Sequence, residues 1–161
     1  MLKFPPENFY IRILETVLEE TAPDVVIIKI TEIMRRELVK LSIDTPISGI
    51  AKILWDQNVG SVLIYDGKED NIIGFIDDRA IFKLIADNRN PLEVKSKTIL
   101  KKLECVPKNL TVKEMWEKYG NTIHKRFGVV DENGKVIGIL RKKTLASFHM
   151  QLLKEELGIE L

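Results

Sequence analysis

The chain has 161 residues, 45% of them apolar, which suits one compact domain or two small intertwined halves that fold without a disulfide or metal staple. Its 25 Lys+Arg offset 24 Asp+Glu, so a whole-chain nucleic-acid binder, which carries a clear basic excess, is disfavoured. The one cysteine, Cys105, excludes an internal disulfide framework and fits a reducing, cytoplasmic setting.

Met1 to Glu7 lacks the apolar core of a signal peptide. Phe9, Ile13, Leu14, Val17 and Leu18 recur at helical spacing, with Arg12, Glu15, Glu19 and Glu20 on the other face. This predicts an amphipathic helix over 7–21, ended by Pro23. The longest purely aliphatic run, Val25 to Ile28, falls far short of the ~20 residues that span a bilayer, so no membrane partner is expected. Val25 to Ile30 is apolar and β-branched and predicts a short strand.

An internal repeat follows. A helix opens at Pro46-Ile47 with Ile47, Ile50, Ala51 and Leu54 on its apolar face. Val62–Tyr65 is a strand, 66–71 a turn, Ile72–Ile76 a second strand, and a helix spans about 78–86. The same order returns 65 residues later, with Ile47 matching Val112, Ile64 matching Val129, and Asp66 matching Asp131. Thr111 and Glu114 form a capping-box pattern before the helix of Val112, Met115, Trp116 and Tyr119. Strands at 127–130 and 136–140 flank an Asn-Gly hairpin turn, and a helix over about 143–157 is stopped by Gly158. The polar stretch Asp87–Pro91 separates the copies. A long period present twice predicts a pseudo-symmetric domain whose halves pack on each other. The expected divisions are an N-terminal helix over 1–24, half-units over 25–90 and 91–150, and a helical tail over 151–161.

Trp55 and Trp116 fall on the apolar faces of equivalent helices and are expected in the core. His149 is expected to be a packed surface residue, and Cys105 a buried, inert thiol. No His/Cys/carboxylate cluster has metal spacing, and no P-loop, dinucleotide fingerprint or nucleophile elbow is present. Catalysis is therefore not expected.

The paired elements resemble a tandem pair of CBS (cystathionine β-synthase) domains. The resemblance rests on Ile30-Thr31-Glu32-Ile33-Met34, on Asp44-Thr45-Pro46-Ile47, and on two strand pairs. The pairs are Tyr65-Asp66 with Ile73-Gly74-Phe75-Ile76, and Val129-Val130-Asp131 with Ile137-Gly138-Ile139-Leu140. It implies an α+β fold of two pseudo-symmetric β-α-β-β-α half-units packed together, to which the N-terminal and C-terminal helices read from the apolar pattern are extra. It also implies regulatory binding of AMP, ADP, ATP or S-adenosylmethionine in clefts between the halves, a homodimer, and a regulated protein partner whose identity is unknown.

The family's ribose motif, Ser/Thr-x-x-Asp, departs in both halves. In the first half it reads Asp77-Asp78-Arg79-Ala80, so Ala80 replaces the ribose carboxylate and Asp77 would set a negative charge against incoming phosphates. That cleft is expected to be vacant or altered. In the second half it reads Arg141-Lys142-Lys143-Thr144, which leaves one hydroxyl. Nucleotide-sensing members, such as the γ subunit of AMP-activated kinase, place a phosphate-contacting basic pair here; Arg126 matches its arginine, and Lys125 stands where such members have histidine. The resemblance thus nominates Lys125 and Arg126 for phosphate, Thr144 for ribose, and Met34 for the base, and Arg141 and Lys142 join the phosphate candidates through their charge at the start of the next helix. The rival expectations are a ligand-free docking or dimerisation module and, more weakly, a nucleic-acid binder through the basic stretches.

Overall fold

The computed structural model describes residues 27–159. The helix expected over 7–21, and Val25 and Val26 of the first expected strand, lie outside them. A single helical turn, α1 (Ile30–Ile33), leads into β1 (Lys40–Ser42), α2 (Ile47–Asp56), β2 (Ser61–Tyr65), β3 (Ile72–Asp77) and α3 (Asp78–Ala86). A 3₁₀ turn (Ser96–Ile99) leads into β4 (Glu104–Pro107), α4 (Val112–Tyr119), β5 (Arg126–Val130), β6 (Val136–Arg141) and α5 (Lys142–Leu157).

Each unit is a three-stranded sheet in which the first strand runs parallel and the third antiparallel to the central one. The repeat extends to irregularities, since a bulge falls at Ile64/Tyr65 and again at Val129/Val130. The central strands bury Val62, Leu63 and Ile64 and their counterparts Phe127, Gly128 and Val129, as expected for strands covered on both faces. Thr111 Oγ1 accepts from the Glu114 N–H and Glu114 returns the bond to the Thr111 N–H, which fixes the start of α4. Gly158 closes α5 in the left-handed region, at φ 63°.

The units exchange their leading segments. Arg35 trades both backbone hydrogen bonds with Ile139 of the second sheet, at 2.9 Å each. Lys101 does the same with Phe75 of the first, again at 2.9 Å each. Ile30 and Met34 are accordingly buried in the second unit's core, while Ile99 and Leu100 pack on the first's. A third cluster, centred on Leu63, Phe75 and Val136, joins the two sheets.

Three expectations are corrected. The strand expected to reach Ile30 is instead an extended lead whose Lys29 bridges Thr111, followed by the α1 turn. The Ile30 N–H is taken by the Leu110 carbonyl, and Glu32 caps the turn through the Lys29 N–H. Trp55 is 86% exposed, because the buried stripe of α2 is Ile47, Ile50 and Leu54 and the next residue is rotated off it. Cys105 is exposed on β4, since strand alternation turns Val106 inward and Cys105 outward. Partial burial of its sulfur, then the Glu104 carboxylate, push the thiol above its usual range. Trp116 is partly buried against the second unit's core and stacks on His149, with ring centroids 4.9 Å apart and nearly parallel. Burial, aided by Lys113, lowers the imidazole's proton affinity.

Candidate functional site

A cleft of about 390 Å³ opens between the units, within the roughly 300–1,000 Å³ typical of small-molecule sites. Met34, Leu38, Leu63 and Ile139 supply apolar lining, and Arg35, Arg126, Arg141 and Thr144 supply polar lining.

The three arginines reach it from neighbouring backbone segments. Arg126 on β5 stands directly opposite Arg141 on β6. Arg35 pairs with Ile139, which shares a strand face with Arg141 two residues on. Like charges directly opposite on a sheet repel. Among the described residues, the lining sets one carboxylate, Glu37, against these three guanidinium groups. The arrangement attracts an anion.

The helix that starts at the cleft adds to this. α5 has no side-chain cap and no acid in its first turn to complement its dipole, and the cations at its start, Arg141-Lys142-Lys143, oppose it. The Lys142 N–H donates to the Lys125 carbonyl at 2.9 Å, while the N–H groups of Lys143 and Thr144 have no intrahelical acceptor in an α-helix. The equivalent end of α3 is closed from within. There the Asp78 N–H donates to the Gly60 carbonyl, matching the Lys142–Lys125 bond, and Asp77 accepts from the Ala80 N–H at 2.9 Å. Asp77 thus sits where a bound anion would cap the helix.

Asp77 is buried, and two cations hold it. Lys101 Nζ reaches its carboxylate oxygens at 2.8 and 3.0 Å, and Arg126 Nη1 reaches one of them at 3.3 Å. Arg126 also lies over the Phe75 ring, 5.9 Å from its centroid. The Asp77 carboxylate, expected to oppose incoming phosphates at the first cleft, is engaged by the start of α3 and by these two cations.

Of the residues nominated from sequence, Met34, Arg126, Arg141 and Thr144 come together at the cleft. Lys125 and Lys142 are outside its lining, a correction to their nomination. Lys142 Nζ instead donates to the Thr122 carbonyl at 2.6 Å, and Lys125 is exposed. Ala80 is buried and Arg79 exposed, away from this cleft. Arg35 and Lys101 escaped the sequence reading because their places depend on segments crossing between units. The available signal was that each follows the apolar residue, Met34 or Leu100, that seats against the glycine of the opposing strand, Gly138 or Gly74.

Residues 30–87 and 95–150 each match the CBS domain family model. The chain belongs to the CBS-domain family. A protein of Methanopyrus kandleri, the uncharacterized protein MK0525, is 30% identical over 115 residues, which are 70% of this chain and 58% of that relative. This CBS pair thus spans little more than half of that relative's length. Among solved structures, the conserved CBS domain protein TA0289 of Thermoplasma acidophilum aligns with a TM-score of 0.67 at 22% identity, over 82% of this chain and 75% of that one. The CBS domain protein PAE2072 of Pyrobaculum aerophilum, solved in complex with AMP, aligns with a TM-score of 0.65 at 20% identity, over 82% and 100%. These likenesses establish the fold of two pseudo-symmetric α+β half-units. A CBS pair is a regulatory module that often takes an adenosine ligand. No helix among the described residues is long and apolar enough to cross a membrane, and these residues hold no cluster of three potential metal ligands.

Proposed function

We propose that this CBS pair is a non-catalytic regulatory module that binds one phosphorylated adenosine ligand, AMP, ADP or ATP, per chain. The ligand lies in the cleft of Arg126, Arg141 and Thr144, and its binding is transmitted to a partner protein. The observation that carries this is the convergence of Arg35, Arg126 and Arg141 beside the uncapped start of α5, a combination suited to phosphate. The AMP bound by the Pyrobaculum relative supports the ligand class. Thr144 offers the ribose a hydroxyl, and Met34 offers the base an apolar contact. S-Adenosylmethionine, with its cationic sulfonium, suits this cleft less well than a nucleotide. In the first unit, Asp77 takes the anion's place, which supports a single occupied cleft. The exposed thiol of Cys105 supports a reducing, cytoplasmic setting.

A thermal-shift panel of AMP, ADP, ATP, adenosine and S-adenosylmethionine tests the reading. A nucleotide at 100 times its dissociation constant adds about 2.7 kcal/mol, a rise of about 5–11 °C at this size. A rise with S-adenosylmethionine and none with the nucleotides would sink it.

A second reading, homodimerisation, is favoured by one observation. Trp55 of α2 and Phe82 and Ile85 of α3 are 86%, 63% and 59% exposed, on helices that contact each other. Apolar surface of this kind marks association sites. Sedimentation of the Trp55→Glu/Phe82→Glu variant should give a folded monomer where the wild type gives a dimer, whereas a wild-type monomer would dismiss the idea.

A further inference from the structure

We propose that Asp77 is an internal competitor for the ligand's anionic group, holding Arg126 in the empty protein and yielding it when the cleft fills. This inference rests on the reading of the cleft as a phosphate site. It concerns how the site is regulated, and not whether it binds.

Arg126 serves two places at once. It lines the cleft, yet its Nη1 is committed to Asp77 across 49 residues of sequence. Its Nη2 lies toward Gly60, at the cleft's other wall, where a Cβ would stand 3.2 Å from it. The bond to Asp77, at 3.3 Å, is longer than the two from Lys101, at 2.8 and 3.0 Å. Of the two cations, Arg126 is the one more readily given up. Its departure does not strand a buried carboxylate, because Asp77 keeps both Lys101 bonds and the Ala80 N–H. That redundancy is what makes an exchange feasible, since leaving a buried charge unpaired would oppose it strongly.

The exchange has a mechanical consequence. The Arg126–Asp77 contact ties β5 of the second unit to the N-cap of α3 in the first. A phosphate that captures Arg126 unties it, so ligand charge is read out as a change in how the units hold together near α3. Reciprocity requires that whatever strengthens the Asp77–Arg126 contact weakens the ligand by the same factor. Adenosine, lacking an anion to offer Arg126, binds without disturbing it.

Calorimetric titration of ADP and adenosine into three variants tests this. Asp77→Asn keeps a good helix cap and frees Arg126, so ADP affinity should rise about tenfold with adenosine unchanged. In the Arg126→Ala background the same substitution should leave ADP affinity within about twofold, a cancellation that a general structural effect would not produce. Lys101→Met works in the opposite direction. It strengthens Asp77's hold on Arg126 and should weaken ADP about two- to fivefold, which keeps the test decisive if Asp77→Asn folds poorly. An ADP affinity unchanged or reduced by Asp77→Asn, with wild-type binding intact, overturns the competitor role alone. Absence of ADP binding to the wild type overturns the phosphate reading and this inference with it.

Discussion

Replacing Arg126 with alanine is expected to lower ADP affinity ten- to a hundredfold while changing adenosine affinity less than about twofold. Among the described residues, Arg126 is the one cleft arginine whose guanidinium has side-chain partners, lying over Phe75 and against Asp77 with its side chain only 16% exposed. Charged hydrogen bonds from such a group contribute about 1.5–3 kcal/mol. Two features keep the loss within that range. Arg141 and Arg35 remain to hold phosphate, and removing Arg126 relieves its repulsion with Arg141 directly opposite. Folding stability should fall only modestly, because Asp77 retains Lys101. Calorimetry with both ligands separates the outcomes, and an equal fall for ADP and adenosine would mean that Arg126 shapes the cleft without meeting phosphate.

Gly74→Ala should have the largest effect on stability. A Cβ at Gly74 would run into the Lys101 backbone carbonyl and lie within 3.0–3.2 Å of the Leu100 side chain. That carbonyl accepts from the Phe75 N–H, and the Lys101 N–H donates to the Phe75 carbonyl. A methyl group here therefore pushes the crossing segment off the sheet and draws Lys101 away from Asp77. Overpacking against backbone costs about 3 kcal/mol, or a melting temperature about 6–12 °C lower. Gly67→Ala provides the contrast. Its φ is 70° but nothing lies within 4 Å of its Cβ, so it should lose only about 1 kcal/mol, from backbone strain alone. Equal losses at the two positions would refute the close crossing as the cause.

The repeat was legible because local signals agree with the fold. Short apolar strands, the Asn-Gly turn, the Thr111–Glu114 box and Gly158 each act within a few residues, and the structure has them where the pattern put them. Trp55 and Cys105 were misplaced because being apolar in a regular element does not say which face a residue takes. The cleft was half legible. Arg126 and Thr144 lie at positions of the family pattern and Arg141 at the charged start of a helix, whereas Arg35 and Lys101 depend on each unit lending its leading segment to the other, and the pairing of Asp77 with Arg126 on how the units pack. Nothing local in the sequence encodes that exchange. Lys125 is nominated by its place in the family's basic pair and Lys142 by charge at a helix start, and neither signal reveals that Lys125 is exposed or that the Lys142 ammonium is drawn to the Thr122 carbonyl.

The central claim is that the cleft between the units selects phosphate charge on an adenosine scaffold. Isothermal titration of the wild-type protein with ADP, adenosine and S-adenosylmethionine tests it most directly. The account predicts one ADP site per chain, bound at least about tenfold more tightly than either of the others. Adenosine or S-adenosylmethionine binding as tightly as ADP, or two equivalent ADP sites per chain, would contradict it.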